Sequence, residues 1–258
     1  MLIPVSDPDD PGVAAYRDIK ERDLVGRQGR FIAEGEVVLR VLLRSTLFRP
    51  VSILVDEKRG GGLGPLPDDI PVYAASQAVI DAIAGFHLHR GILALAERVE
   101  PPNAAAMVAD LPPHALVVAL FGISNHDNIG GIFRNAAAFG VDAVLLDPKC
   151  CDPLYRKAIR VSVGGVLVTP FARADDPVAL LRSHGFEILA LSPTGRERLG
   201  DVRPAARTAV LFGTEGEGLS TDIMARARTV SIPMKAGFDS LNVATTSGIV
   251  LASLSRDE

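Results

Sequence analysis

Six long apolar segments in the second half of the chain constrain its fold more than any other feature. Each is mainly apolar along its length rather than apolar only at alternate positions, as expected for strands buried on both faces of a parallel sheet. Segments with helical composition lie between them, so the pattern predicts an α/β layer built on a doubly wound parallel sheet. In such sheets, ligands bind in the loops beyond the carboxyl ends of the strands. The predicted strands are ALVVALFGI, DAVLLD, VLVTPFA, FEILALS, TAVLFG and RTVSIPM, and the helices between them include NIGGIFRNAAAFG, DPLYRKAIRVSVG, DPVALLRSHG and LSTDIMARA.

The first hundred residues predict a separate, smaller α/β domain. The short strands PVSILVDEK, VYAAS and HLHRGILALAER alternate there with segments of helical spacing, one of which starts at Ser76 and stops at Gly85. Proline pairs at both ends of EPPNAAAMVADLPPHA interrupt regular structure and indicate a boundary. The predicted domains and the linker between them are residues 1–100, 114–258 and 101–113.

The charge of the chain excludes a protein that coats nucleic acid without specificity. The net charge is −4 over 258 residues and the pI is 5.8, whereas non-specific affinity for RNA or DNA depends on neutralising phosphates. A local basic face that recognises one RNA shape remains compatible with this balance. Residues 17–30 carry five basic and three acidic residues, so they form either a solvated, salt-bridged segment or an RNA-facing patch.

Neither a membrane segment nor a metal site is predicted. No apolar run approaches the roughly 18 residues of a membrane span, and the first residues, MLIPVSDPDDPG, lack the basic segment and apolar run of a secretion signal. The adjacent Cys150 and Cys151 are the only cysteines, which indicates a reducing cytoplasm and two small buried residues rather than a redox centre. His87 and His89 have no carboxylate or cysteine beside them in sequence, which favours loop histidines over metal ligands.

The loop that follows the first strand of the C-terminal sheet carries polar side chains into an apolar helix. Asn128 stands where this helix is predicted to begin and is therefore expected to cap it. Arg134 is followed by AAAFG, which contains no charge. An arginine in this setting is either a buried ion-pair partner or a cation that grips a phosphate.

The loop after the strand TAVLFG is rich in glycine. Gly213, Gly216 and Gly218 allow tight turns and a close approach of the backbone to a ligand. Their spacing is not that of a P-loop, and no G-x-G-x-x-G fingerprint follows the first strand, which argues against a nucleotide-dependent oxidoreductase. Two carboxylates among the glycines favour a ligand with a positive centre or hydroxyl groups over a phosphate.

The closing stretch, residues 231–252, joins a short strand to a helix through a loop that contains Gly237. Ser240 or Asn242 is placed to cap that helix. The helix is apolar on more than one face, so we expect it to be buried on several sides.

Taken together, these three loops resemble the three signature motifs of the SpoU/TrmH family of RNA methyltransferases in the SPOUT superfamily. Their order and spacing agree with the family, and the resemblance covers the whole C-terminal part. Asn135 stands where threonine is usual and Thr214 where asparagine is frequent. The N-terminal part is similar, less specifically, to the ribosomal-protein-like substrate-binding domain of many members. The matching blocks are Asn128-Ile129-Gly130-Gly131 with Arg134 and Phe139-Gly140, then residues 211–220, then Ile232-Pro233-Met234 with Ser240-Leu241-Asn242-Val243.

The resemblance implies an enzyme that transfers a methyl group from S-adenosylmethionine to a ribose 2′-hydroxyl in structured RNA. It also implies a trefoil knot at the end of the chain and a homodimer through the C-terminal domain, in which the partner subunit completes each active site. No metal is needed, because the methyl group of S-adenosylmethionine is carried on a sulfonium. The two-domain layout favours ribosomal over transfer RNA. The alternative is a catalytically inactive RNA-binding protein of the same fold.

The same resemblance assigns roles to individual residues. Arg134 is the catalytic residue, either as a general base or as a cation that holds the flanking phosphate and stabilises the developing alkoxide. Asn128 assists it. The residues that complete the RNA-facing pocket are Glu215, Ser240 and Asn242. The residues expected to bind the cofactor, with Leu191 near its adenine, are Leu191, Gly213, Thr214, Gly216, Ile232, Met234 and Leu241.

Overall fold

The computed structural model describes residues 2–17, 29–59, 66, 69–100, 103–214, 216–238 and 240–255. It divides into two compact units. The first contains Met1–Glu100 together with Leu154–Val168, and the second contains Pro101–Pro153 together with Thr169–Glu258. The predicted boundaries placed residues 154–168 in the C-terminal domain, whereas this segment packs in the first unit. Most of the basic segment at residues 17–30, and Glu215, lie outside the described residues.

The first unit is built on a five-stranded mixed sheet. Its strands lie in the order β1-β4-β3-β5-β2. The pairs β1–β4 and β4–β3 are parallel, and β5 runs antiparallel to both β3 and β2. The strands are β1 (Leu2–Val5), β2 (Arg30–Glu34), β3 (Phe48–Asp56), β4 (Val72–Ala75) and β5 (Ile92–Arg98), and the helices are α1 (Glu36–Leu42) and α2 (Gln77–Ala84).

Local sequence explains how α1 and α2 begin and end. Ser76 caps α2 and Gly85 ends it in the left-handed conformation, as predicted. The strand β2 directly precedes α1, because Gly35 at φ 95° turns the chain between them. Sequence reasoning also missed β1, a four-residue strand with only Val5 buried.

The second unit contains a seven-stranded sheet in which every pair is parallel, which confirms the parallel architecture. Its strand order is β10-β12-β9-β11-β6-β7-β8. The predicted strand VLVTPFA is largely wrong: Gly165–Leu167 is a 3₁₀ helix of the first unit, and the strand that follows is short. The strands are β6 (Ala115–Leu120), β7 (Ala143–Leu146), β8 (Phe171–Arg173), β9 (Glu187–Leu191), β10 (Glu197–Arg198), β11 (Arg207–Phe212) and β12 (Arg228–Ser231).

Six further α-helices follow in chain order within the described ranges. The middle of the predicted linker forms α3, whose Val108 is fully buried in the core of the second unit with Val178 and Ala209. A helix therefore begins the second unit where a linker was expected. The helices are α3 (Ala104–Ala109), α4 (His126–Ala138), α5 (Arg156–Val161), α6 (Pro177–Ser183), α7 (Thr221–Ala225) and α8 (Val243–Leu254).

The last helix, α8, is buried on one side only within this chain. Val250 and Leu251 are fully buried, whereas Ile249 is 40% exposed. The expectation that α8 is buried on several sides is therefore wrong for the single chain. Its sequence has apolar residues all round, and the fold of one chain covers only the face that carries Val243, Ser247, Val250, Leu251 and Leu254.

No α-helix among the described residues combines the length and the hydropathy that crossing a bilayer would need.

A buried ion pair holds the segment 154–168 to the sheet of the first unit. The guanidinium of Arg156 on α5 donates to Oε2 of Glu34 on β2 over 2.7 Å, and Arg160 lies 3.9 Å from the same oxygen. The Glu34 side chain is only 6% exposed. A second tether joins the Ser45 hydroxyl to the carbonyl oxygen of Leu167 over 2.6 Å. Because a buried carboxylate without its partner is costly, the pair fixes where α5 lies.

We predict that Arg156→Met destabilises the protein by about 3 kcal/mol, since it leaves the Glu34 carboxylate buried beside only the more distant Arg160. Urea unfolding followed by circular dichroism measures the loss. The matched control is Arg40→Met, which removes an exposed ion pair with Glu36 on α1 and is expected to cost below about 0.5 kcal/mol. Equal unfolding midpoints for the two variants would contradict the structural role given to Arg156.

Candidate active site

A cavity of about 220 Å³ lies at the carboxyl ends of β9 and β11 in the second unit. Three pieces of chain enclose it: the end of β9, the glycine-rich loop after β11, and the segment that leads from β12 to α8. This is the position at which parallel α/β sheets bind ligands. The lining residues are Leu191, Ser192, Pro193, Phe212, Gly213, Thr214, Gly216, Glu217, Gly218, Ile232, Met234, Ser240, Leu241, Val243 and Thr246.

The wall after β11 is a tight turn that requires glycine. The amide of Gly218 donates to the carbonyl oxygen of Thr214 over 3.1 Å, and Gly218 has φ 70°. A Cβ at Gly213 would lie 2.3 Å from the carbonyl carbon of Gly218, which is closer than real side chains come to backbone. Gly213 is therefore needed for the turn to close. Glu215, predicted to complete the pocket, lies outside the described residues.

Asn242 caps α8, which resolves the choice between Ser240 and Asn242. Its Oδ1 accepts hydrogen bonds from the amides of Ala244 and Thr245 over 2.9 and 3.2 Å. Ser240 lines the cavity and is exposed. The cap fixes the first turn of α8, from which Val243 and Thr246 reach the cavity.

Asn128 joins the first loop to the third. The prediction that Asn128 caps α4 is wrong. Asn125 caps this helix, and its side chain accepts a hydrogen bond from the Asp127 amide over 2.9 Å. Asn128 lies within the first turn of α4, is 4% exposed, and accepts through Oδ1 from Nδ2 of Asn242 over 2.9 Å. The two asparagines that the sequence placed in separate motifs thus meet beside the cavity.

A row of small and amide residues on α4, at spacing i, i+3 and i+7, carries this contact further along α8. A Cβ at Gly131 would lie 2.6 Å from Cβ of Ala244, so the two helices approach closely there. One helical turn on, Nδ2 of Asn135 donates to the carbonyl oxygen of Ala244 over 2.7 Å and to the hydroxyl of Ser247 over 2.9 Å. We call Asn128, Gly131 and Asn135 the α4 stripe. It sets the position of α8 and hence of one wall of the cavity.

Arg134 points away from this stripe. It is exposed, does not line the cavity, and makes no hydrogen bond or ion pair with the part of the chain that the structure describes. The interpretation of Arg134 as a buried ion-pair partner is therefore wrong. Its guanidinium is open to a group that comes from outside the chain.

The lining of the cavity carries little charge. Glu217 is the one ionisable residue among the described residues that line it. Leu191, Ile232, Met234 and Leu241 give it apolar walls. This combination suits a flat apolar group together with a positive centre better than it suits a phosphate.

The two cysteines are not part of the cavity lining. Burial raises the pKa of the Cys150 thiol to about 12 and that of Cys151 to about 11, so both are protonated near neutral pH. Cys150 is buried, as predicted, and its Sγ donates to the carbonyl oxygen of Leu120 over 3.4 Å, whereas Cys151 is only partly buried. Among the described residues, no group of three or more histidine, cysteine or carboxylate side chains could hold a metal ion.

Comparison with known proteins decides the family. The model of the SpoU rRNA Methylase family matches residues 115–252, which include all three loops. The chain belongs to the SpoU rRNA methylase family. Uncharacterized tRNA/rRNA methyltransferases of Mycobacterium bovis and Mycobacterium tuberculosis are similar to it, each at 40% identity over 98% of this chain and 91% of the relative.

Solved structures show that the whole chain has the fold of SpoU methyltransferases. An rRNA methyltransferase from Sinorhizobium meliloti with AdoMet bound is similar at a TM-score of 0.81 and 22% identity, covering 98% of this chain and 97% of the other. A structure described as an RNA 2′-O ribose methyltransferase is similar at a TM-score of 0.75 and 24% identity, covering 98% and 97%. The predicted α/β fold with a parallel sheet is confirmed.

The structure of this SpoU family member collects most of the predicted site residues in one place. Asn128 and Asn242 are hydrogen-bonded to each other, and Ser240 lines the cavity, whereas Arg134 lies off it. Sequence reasoning missed Ser192, Pro193, Phe212, Val243 and Thr246, which the carboxyl ends of predicted strands and the first turn of the last helix could have indicated. The predicted cofactor-binding residues that line the cavity are Leu191, Gly213, Thr214, Gly216, Ile232, Met234 and Leu241.

We predict that Gly213→Ala destabilises the protein by about 1–3 kcal/mol, because the added methyl group is forced against the backbone of Gly218. Thermal unfolding measures this. Gly216→Ala is the matched control in the same loop, since its Cβ would meet no described heavy atom within 4 Å, and we expect it to stay within about 0.5 kcal/mol of the parent. If the two variants have the same melting temperature, the turn does not depend on Gly213.

We predict that Asn135→Ala loosens the start of α8, because it removes two hydrogen bonds worth about 1 kcal/mol each. Hydrogen exchange at residues 243–247, followed by mass spectrometry, should become roughly thirtyfold faster, the factor that about 2 kcal/mol gives, while exchange in β6 stays unchanged. Ala137→Ser, on an exposed position of the same helix, is the control. An unchanged exchange rate at residues 243–247 would show that Asn135 does not hold the start of α8 in place.

Proposed function

We propose that this protein is an S-adenosylmethionine-dependent methyltransferase that methylates a ribose 2′-hydroxyl in structured RNA. The observation that carries the proposal is the cavity at the carboxyl ends of β9 and β11, which gathers the residues that the family motifs predicted for the cofactor. Membership of the SpoU rRNA methylase family supports it. So do the AdoMet bound in a protein of the same fold and the description of another as an RNA 2′-O ribose methyltransferase.

The residues of the cavity fit this cofactor. Leu191, Ile232 and Leu241 offer apolar surfaces to the faces of a purine, and the turn closed by Gly213 brings backbone hydrogen-bonding groups to the cavity wall. Glu217 supplies the negative charge that suits a cationic ligand, and no lysine or arginine is among the described lining residues. When bound, S-adenosylmethionine supplies an electrophilic methyl group on a sulfonium.

The chain itself must then position the ribose and help its 2′-hydroxyl to lose a proton. We assign this to Arg134. Because guanidinium does not readily deprotonate in proteins, Arg134 acts as a cation that holds the flanking phosphate and stabilises the developing alkoxide. The hydrogen-bonded Asn128 and Asn242 keep the two loops at a fixed separation, and Ser240 and Glu215 complete the RNA-facing side.

In this proposal, Arg134 of one subunit acts at the cavity of the partner subunit. It lies on the exposed side of α4 in its own chain, off the cavity that α8 helps to line. Exposed apolar side chains near the end of the described chain support a homodimer through the C-terminal domain, which would bury them: Phe238 is 76% exposed, Leu241 43% and Ile249 40%. The trefoil knot implied by the family stays part of the same proposal.

The first unit is proposed to bind the RNA substrate, with ribosomal RNA favoured over transfer RNA by the two-unit layout. Such a substrate places the enzyme in the cytoplasm. The alternative, a catalytically inactive RNA-binding protein, is disfavoured because the cavity keeps its predicted lining. Calorimetry with S-adenosylmethionine distinguishes the two, since a pure RNA-binding protein need not take up the cofactor.

We predict that Arg134→Ala lowers methyl transfer to RNA by at least about a hundredfold, the scale of losing one group that stabilises developing negative charge. Tritiated S-adenosylmethionine measures the transfer, and calorimetry should find its dissociation constant unchanged, because Arg134 does not line the cavity. Near-normal turnover in this variant would reject Arg134 as the catalytic residue.

Mixed dimers test which subunit supplies Arg134. The two variants to coexpress are Arg134→Ala and Gly213→Val. The Arg134→Ala subunit keeps its cavity but has no arginine at position 134, whereas the Gly213→Val subunit keeps Arg134 but has a blocked cavity. If Arg134 acts across the dimer, activity returns to about a quarter of the parent level, since half of the dimers carry one complete site. If Arg134 acts within its own chain, purified mixed dimers that contain both variants stay inactive, and the proposal that Arg134 acts across the dimer is wrong.

A further inference from the structure

The turn between α2 and β5, residues 85–91, displays an aromatic ring, two imidazoles and a guanidinium side by side. Phe86, His87, His89 and Arg90 are all exposed, whereas Leu88 between them is 1% exposed and anchors the turn in the core of the first unit. Neither the cavity of the second unit nor a metal site accounts for them. We call these residues the GFHLHRG turn after their sequence.

The GFHLHRG turn is held in one conformation before any partner arrives. Oδ1 of Asp81 on α2 accepts from the Leu88 amide over 2.9 Å and from Nε2 of Gln77 over 2.6 Å. The same Gln77 nitrogen donates to the carbonyl oxygen of Leu88 over 3.1 Å. Glycines at φ 78° and 59° close the two ends. A turn fixed in this way loses little conformational entropy when it binds something.

The rings on the turn are ordered as well as exposed. Nδ1 of His87 pairs with Oδ2 of Asp81 over 2.6 Å, and its ring meets that of His89 edge to face at 4.6 Å between centroids. The guanidinium of Arg156 lies 4.4 Å from the centre of the Phe86 ring, which is still 37% exposed. Aromatic rings and stacked guanidinium groups are the surfaces on which proteins stack unpaired bases.

The charge around the turn favours a polyanion. Arg90 is exposed, and the side chain of Arg59 lies next to Gly91, 3.4 Å from where a Cβ would stand. The turn itself contains no carboxylate, and Asp81, which faces it, is already paired with His87. Asp56 also lies next to Gly91, with its Cβ 3.1 Å from where a Gly91 Cβ would stand, but it is only 6% exposed and its Oδ1 accepts from the Lys58 amide over 2.8 Å. In a chain with a net charge of −4, this is a local basic face rather than part of a general positive field. An acidic protein surface would use the charges but would have no need of the exposed rings.

We infer that the GFHLHRG turn binds an unpaired segment of the RNA substrate, with a base stacked on Phe86 and His89 and the adjoining phosphate held by Arg90. The inference rests on the proposed function, in that the RNA held here is the RNA methylated in the second unit. It gives the first unit a specific contact point. It also explains His87 and His89, whose spacing suggested a metal site without supporting one.

The test uses the full-length protein with three probes: transcribed 16S rRNA, transcribed 23S rRNA and bulk transfer RNA. Phe86→Leu keeps the apolar bulk but removes the ring, and Arg90→Gln removes the charge. We expect each to raise the dissociation constant and the KM for the bound RNA at least about fivefold, the low end of the effect of losing one stacked base. The value of kcat and the affinity for S-adenosylmethionine should stay unchanged. Phe86→Tyr should bind within about twofold of the parent.

The control for charge is Arg44→Gln, which removes an equally exposed arginine from the same unit. Equal losses for Arg44→Gln and Arg90→Gln, or unchanged RNA binding by both turn variants, would overturn the inference. Crosslinking with 4-thiouridine-substituted RNA gives a second measurement that needs no variant, and it should recover the peptide that contains residues 85–91. Its recovery elsewhere in the chain alone would also overturn the inference.

The outcomes separate this inference from the proposed function. RNA binding that depends on the turn, without methyl transfer to any of the three RNAs, rejects the proposed function and leaves the RNA-binding turn intact. Methyl transfer by the parent protein with no dependence on Phe86 or Arg90 rejects the turn and leaves the function intact. Absence of binding to all three RNAs rejects both.

Discussion

The hydrogen bond between Asn128 and Asn242 is the contact on which the candidate site depends. These residues are 114 positions apart in the chain, yet their amide groups meet at 2.9 Å. The bond connects the first turn of α4 with the cap of α8. Because the Asn242 side chain also accepts from two backbone amides, one residue both starts the last helix and fixes where it starts. This arrangement fixes the position of the cavity wall that α8 forms.

Packing and capping reinforce each other along the interface between α4 and α8. Gly131 allows the helices to approach closely, and the close approach brings Asn135 within reach of two acceptors on α8. A larger residue at Gly131 would push α8 outward and break both amide contacts. Asn135 suits this place because its amide nitrogen carries two protons and donates to both acceptors, whereas a threonine hydroxyl has one proton and could donate to only one of them.

Sequence reasoning succeeded where period and composition fix the structure locally. Apolar runs gave the parallel strands, and Ser76 and Gly85 gave the ends of α2. It failed where tertiary contacts decide. Asn125 and Asn128 are equally good capping residues, and only the packing of α4 against α8 selects Asn125 as the cap and turns Asn128 inward. The segment VLVTPFA has the composition of a buried strand, but its first half is a 3₁₀ helix packed in the other unit. The family motifs identified part of the cavity lining, which no local pattern would have assembled.

The placement of residues 154–168 in the first unit has a consequence for how the chain folds during synthesis. Glu34 on β2 is made more than a hundred residues before its partner Arg156, which is 122 positions further along. N-terminal domains usually fold as soon as they leave the ribosome. Here the first unit cannot reach its final structure until a segment from the middle of the second has emerged. The first unit is therefore completed only after residues 154–168 have been made, when the Glu34 carboxylate can be buried against Arg156.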